Sequence, residues 1–131
     1  MNMKRYGISI PALLALCSSA FALDQGVRSQ LLRLDPVTRL EQRCDIEVME
    51  RIKQEHKQYS PDRVVAYATN DPKIDHDEIK TRGAAFRSKG QWYSLRFDCL
   101  TEADHLTVRS VRYRIGDAIP KDEWTTYNLW P

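Results

Sequence analysis

Ala84-Ala85-Phe86-Arg87-Ser88-Lys89-Gly90-Gln91-Trp92-Tyr93-Ser94-Leu95-Arg96-Phe97-Asp98-Cys99 is the stretch that decides the fold. Its residues alternate between apolar and polar on both sides of Lys89-Gly90, with the period of two expected of half-buried strands. A two-residue turn at Lys89-Gly90 joins the two runs into an antiparallel hairpin. This register sets Phe86 opposite Tyr93 and Ala84 opposite Leu95 on one face, with Arg87 opposite Trp92 on the other. Tyr93, Leu95, Phe97 and Cys99 share the first face, which therefore needs a second layer to cover it.

That layer lies upstream. Asp35-Pro36 pairs a helix-capping carboxylate with a proline at the first helical position, where a missing N–H costs nothing. Val37, Leu40, Cys44, Val48 and Ile52 then fall within an arc of about 120° at about 100° per residue, while Arg39, Arg43, Glu47 and Glu50 point elsewhere. The helix is expected to end near residue 58, because Ser60-Pro61 disfavours helical geometry at Ser60. Residues 23 to 34 are compatible with a short helix or a segment lying on the core.

The remaining strands are weaker. Val64 to Ala68 reads as a strand closed by Asn70-Asp71-Pro72, and Leu106 to Ile115 as another, closed by Gly116. In the latter, Leu106 and Val108 share one parity and Val111, Tyr113 and Ile115 the other, which places a bulge near Arg109-Ser110. The tail from Ile119 to Trp130 carries Trp124 and Tyr127 three apart, as on a short helix docked on the core. The expected fold is α+β: a long N-terminal helix packed on a three- or four-stranded antiparallel sheet, with a short aromatic C-terminal segment.

Residues 1 to 22 read as a secretory signal peptide, with Lys4 and Arg5, an apolar run from Ile8 to Leu16, and Ala20-Phe21-Ala22 as the cleavage site. The apolar run falls short of the roughly 20 residues of a spanning helix, and the bulky Leu16 before Cys17 argues against lipidation. Residues 23 to 131 are then expected to form one globular domain in the periplasm or outside the cell, with no run able to span a membrane. Losing the leader removes two cations and no acid, so the formal charge falls from +2 to zero. A neutral chain has no global field for nucleic acid, and any electrostatic function must come from a local patch. Of the three cysteines, Cys44 and Cys99 remain, and an oxidising compartment favours one disulfide between them. With Cys44 on the helix's apolar arc and Cys99 on the apolar sheet face, the bond would staple helix to sheet. A metal-binding or reactive thiol pair lacks both a Cys-x-x-Cys spacing and a nearby histidine.

Several strings together resemble one family: Leu34-Asp35-Pro36, Arg39-Leu40-Glu41-Gln42-Arg43-Cys44-Asp45, Pro61-Asp62-Arg63-Val64, Gly83-Ala84-Ala85-Phe86-Arg87-Ser88, Trp92-Tyr93, and Ile115-Gly116 with Ile119-Pro120. They are similar to the bacterial family named domain of unknown function 930, over most of residues 34 to 130. The resemblance implies an exported bacterial protein, and it carries no activity, cofactor or catalytic residue.

Candidate sites follow from the register. Arg87, Trp92 and Arg96 share the outer face of the hairpin, and Arg112 and Arg114 join them if the bulge is correctly placed. Such a cationic strip suits phosphate, carboxylate or an acidic partner. The plain alternative is a solvated sheet face, with Arg87 over Trp92 as a cross-strand cation–π pair and Asp98 partly neutralising the strip. Asp71, Asp75, His76, Asp77 and Glu78 bring oxygen ligands and an imidazole into one loop, without the spacing of a twelve-residue calcium loop. No metal or cofactor is expected. His56, His76 and His105 sit in separate polar contexts with no nucleophile motif nearby, and Glu41 and Asp45 are four apart on the helix, as many structural pairs are. Trp124, Tyr127 and Trp130 suit glycan stacking, although completing a small core is the commoner use. The expected function is a non-catalytic periplasmic binding or structural module whose partner is an envelope protein or an anionic envelope component. The alternatives are a small envelope hydrolase acting on glycan or peptide, which needs a cleft gathering a histidine and carboxylates, and an inhibitor of an envelope enzyme.

Overall fold

The computed structural model describes residues 23–131, so the leader lies outside the described residues. Helix α1 (Gln25–Leu32) leads into helix α2 (Pro36–Glu55). Strands β1 (Pro61–Val65), β2 (Lys73–Asp75), β3 (Glu78–Ser88), β4 (Gln91–Thr101) and β5 (Val108–Ala118) follow, and a short 3-10 turn (Lys121–Glu123) begins the tail. The fold is α+β, and its antiparallel sheet runs β1-β3-β4-β5 with β2 also paired to β3. The expected sheet of three or four strands thus has five. The 11-residue β3 pairs with β1 at one end, through Ala85 to Ser88, and with β2 at the other, through Glu78 to Lys80.

Helix α2 starts where its capping chemistry says it should, with Asp35 accepting hydrogen bonds from Thr38 N at 3.1 Å and Thr38 Oγ1 at 2.7 Å. It is the second helix of the described residues rather than the first. Its buried stripe is Leu40, Cys44, Val48 and Ile52, while Val37 in the first turn is 51% exposed because the packed stripe begins one turn later. Arg43 and Glu47, which periodicity assigns to solvent, are buried. Arg43 donates to Leu106 O at 2.7 Å and to Glu47 at 3.1 Å, tying the β4–β5 loop to the helix. Arg39 reaches the carbonyls of Leu31 and Leu34 at 3.1 and 3.0 Å and so closes the C-terminal end of α1.

The hairpin has the register read from sequence, with Phe86 opposite Tyr93, Ala84 opposite Leu95 and Arg87 opposite Trp92. Lys89 (φ 52°) and Gly90 (φ 75°) both take positive φ, as a type I′ turn requires. The face towards α2 carries Ile79, Ala84, Phe86, Leu95, Phe97 and Cys99, which form one core with the helix stripe. Cys44 and Cys99 are bonded across it, with Cα atoms 6.0 Å apart.

Four register shifts shape the sheet of the described residues, one of them between Pro61 and Arg63 in β1. In β5, Leu100 faces Ser110 and Thr101 faces Val108, so Arg109 is the extra residue, as the parity slip indicates. The strand does not stop at Gly116. It continues to Ala118 through a second irregularity, where a Cβ on Gly116 would lie 3.0 Å from Ser94 Cβ. In β3 the register shifts between Thr81 and Ala84, so Arg82 and Gly83 together face Arg96. A Cβ on Gly83 would meet Asn70 N at 2.4 Å and Thr69 Oγ1 at 2.6 Å, and Gly83 O accepts from Thr69 N at 2.8 Å. Backbone cannot yield as a flexible side-chain end does. Gly83→Ala should therefore destabilise the protein by about 1–3 kcal/mol, the usual range for overpacking. Chemical denaturation at unchanged m-value would show it, and an unaltered midpoint would refute the steric reading.

The C-terminal segment covers the other side of the hairpin. Ala85, Trp92, Ala68, Ile119, Trp124 and Leu129 form a second buried cluster, with Val65 and Tyr127 against it. Ile119 N donates to Trp92 O at 2.8 Å, and Trp92 Nε1 donates to Trp130 O at 2.7 Å. Trp124 Nε1 in turn donates to Ile119 O at 2.8 Å.

Candidate functional site

The five-residue strip expected on the outer sheet face is divided by this covering segment. Trp92 is 1% exposed and belongs to the second core, so it is not a surface contact. Alternation along a strand says which face a residue occupies, not whether something covers that face. Arg87 grips Asp62 with two hydrogen bonds of 2.8 and 3.1 Å and donates to the carbonyls of Trp130 and Pro131. These bonds hold the Asp62 carboxyl below the ordinary carboxylate range. Its guanidinium carbon lies 5.7 Å from the Trp92 ring centre, the cross-strand pair of the plain reading. Arg87 is thus engaged in anchoring the tail.

Arg96, Arg112 and Arg114 do lie together on the part of the face left open. Arg96 and Arg114 are direct partners across β4 and β5, and the β3 bulge adds Arg82 on the other side of Arg96. The three form a row across three strands, lining two adjoining concavities of about 370 and 400 Å³. Among the described residues no carboxylate lies within 4.0 Å of any of the three. In the next row, Lys80, Asp98 and Arg112, each cation has a carboxylate near it, Arg112 at 3.4 Å from Asp98 and Lys80 at 3.5 Å from Glu78. Asp117 borders the second concavity. Like charges directly opposite one another in a sheet are destabilising, so an unpaired arginine row has no structural reward of its own. Planar guanidinium groups side by side present parallel donors suited to phosphate or carboxylate oxygens.

Sequence reasoning missed Arg82 because it began the strand at Ala84. Gly83 just before that point was the available signal, since an isolated glycine in a strand marks a bulge or a close backbone approach. A bulge there returns Arg82 to the parity of Arg96.

The other candidates disperse. The acidic stretch 71 to 78 is no simple loop: Lys73–Asp75 is a strand and His76, at φ 52°, sits in the turn. Asp75 pairs with His76 at 2.6 Å, and Asp77 with His105 at 2.9 Å. Among the described residues no three metal-ligating side chains converge. His105 is buried with its other ring nitrogen 2.6 Å from Pro36 O, whereas His56 packs edge-on to Tyr113. Trp124 and Tyr127 complete the second cluster, and Trp130 is 67% exposed. Glu41 and Asp45 do share a groove, beside the apolar stripe of α2 and facing β1.

A family model, Domain of Unknown Function (DUF930), matches residues 31–129. The chain belongs to the DUF930 family. The match takes in every element of the DUF930 domain from the end of α1 to the tail, and with it the arginine row and the covering segment. No curated protein and no solved structure matches the chain.

Proposed function

We propose that this DUF930 protein is an exported, non-catalytic module that binds an anionic partner through the row Arg82, Arg96 and Arg114, with Arg112 at its margin. The observation that carries this reading is the absence of a carboxylate partner for any of the three row arginines among the described residues. Export is supported by the leader-like residues 1 to 22 and by the Cys44–Cys99 bond, which persists in oxidising compartments. No helix of the described residues is long and apolar enough to cross a membrane. The partner is read as an envelope protein with an acidic surface or an anionic envelope component. The hydrolase alternative gains a groove with one buried carboxyl, Asp45, but His56, His76 and His105 do not line it.

Arg82→Glu with Arg96→Glu and Arg114→Glu should leave melting nearly unchanged, because exposed substitutions act within about 0.5 kcal/mol each. Partner capture by a photo-crosslinker at Ser94, in intact cells, should be lost, since reversal turns attraction into repulsion. Rising salt should weaken capture by the native protein in parallel. The same envelope fraction should yield a mature N-terminus at Leu23. Undiminished capture by the folded triple variant would remove the row from consideration.

A further inference from the structure

A second groove, of about 290 Å³, lies between α2 and β1. Asp45 lines it, is 8% exposed, and its Oδ1 has no hydrogen-bond partner. An aspartate inside a helix has poor propensity, and a buried carboxylate without donors is among the costlier groups a fold can carry. Nothing in the packing of α2 needs it, because the core stripe runs through Leu40, Cys44, Val48 and Ile52.

The rest of the groove says what would satisfy Asp45. Glu41 stands one turn earlier on the same helix, and Asp62 on β1 is already occupied by Arg87. Ile46, Met49, Val64 and Val65 give apolar walls, and Tyr67, 57% exposed, stands at the rim. A bare metal ion lacks the ligands, since no three ligating side chains converge among the described residues. Carboxylates at the base, hydrocarbon walls and an aromatic ring at the mouth fit a cation that carries its own apolar stem.

We infer that the α2–β1 groove is a binding site for an organic cation, an ammonium or guanidinium group on a short hydrocarbon stem, with Asp45 and Glu41 as its counter-charges. The cation is either a free small amine or a lysine or arginine side chain of a partner. Burial, and then the charge of Glu41, push the Asp45 carboxyl well above the ordinary range, and burial raises Glu41 as well. A cation favours the ionised carboxyl, so its arrival displaces a proton at any pH between the ordinary and the raised value. The charged and titratable groups facing Asp45 are Glu41 on α2, Asp62 and Arg63 on β1, and Tyr67 beyond it. Arg63 has no carboxylate within 4.0 Å among the described residues, and its charge opposes an incoming cation.

The test is calorimetric titration of the oxidised protein with agmatine and n-butylamine, in mildly acidic buffers that differ in ionisation enthalpy. Binding with release of protons is expected. Asp45→Asn should keep or raise the melting temperature, weaken binding about ten- to a hundredfold, and reduce the proton release to the share of Glu41. Arg63→Gln should tighten binding. A capped tripeptide with arginine between glycines separates the sources: equal or better binding than agmatine marks a partner's side chain, and failure of the tripeptide alone marks a free amine. Absence of binding by all three probes, or unchanged binding by a folded Asp45→Asn protein, overturns the site.

Discussion

Cys44→Ser should lower the melting temperature by roughly 15–20 °C. The bond joins residues 55 apart in sequence, and closing a loop of that length stabilises a fold by about 4 kcal/mol in the chain-entropy model. Its position adds to the effect. Cys44 lies in the middle of the α2 stripe and Cys99 on the β4 face beneath it, both fully buried, so the bond fixes the helix that covers this side of the sheet among the described residues. The double variant Cys44→Ser with Cys99→Ser should melt close to the single one, because the cross-link is already gone, and the single variant should expose Cys99 to alkylation only after unfolding. A fall of just a few degrees would mean that helix-to-sheet packing suffices without the cross-link.

Trp92→Ala should destabilise by about 3–5 kcal/mol, as truncation of a buried large aromatic does. The loss has two parts. The ring is the centre of the second cluster, and its N–H donates to Trp130 O, whereas the bond from Ile119 N to the Trp92 main-chain carbonyl is kept. Trp92→Phe separates them, since it keeps most of the buried area and deletes only the indole donor; a loss of about 1 kcal/mol is expected there. Hydrogen exchange should show selective loss of protection at Ile119 and Leu129 in the alanine variant. Uniform loss over the whole sheet would mean that the covering segment has no separate stability.

The elements legible in the sequence are those fixed by local chemistry. Lys89-Gly90 sets the hairpin register, Asp35-Pro36 sets the start of α2, and the parity slip at Arg109 sets a bulge. The helix and hairpin patterns also place Cys44 and Cys99 on facing apolar surfaces. What was not legible depends on residues distant in sequence. Strand β2 has three residues, too few for alternation to register, and it exists because β3 extends beyond β1 and offers it an edge. Arg43 reads as a solvent residue until Leu106 O arrives from the other end of the chain to accept its proton. Within the candidate site, Arg96, Arg112 and Arg114 were found by parity alone. Arg87 and Trp92 were misread because the tail lies over them, and Arg82 was missed because Gly83 shifts the count by one.

Strand β5 ends the sheet and pairs with β4 alone among the described residues, so its outer backbone groups offer themselves to any other strand. Its two bulges, at Arg109 and around Gly116, break that row of donors and acceptors near both ends. The stretch left between them contains Arg112 and Arg114. A second molecule docking there strand to strand would bring like guanidinium charges close together. The same irregularities that carry arginines onto the open face thus guard the protein against fibril-like self-association.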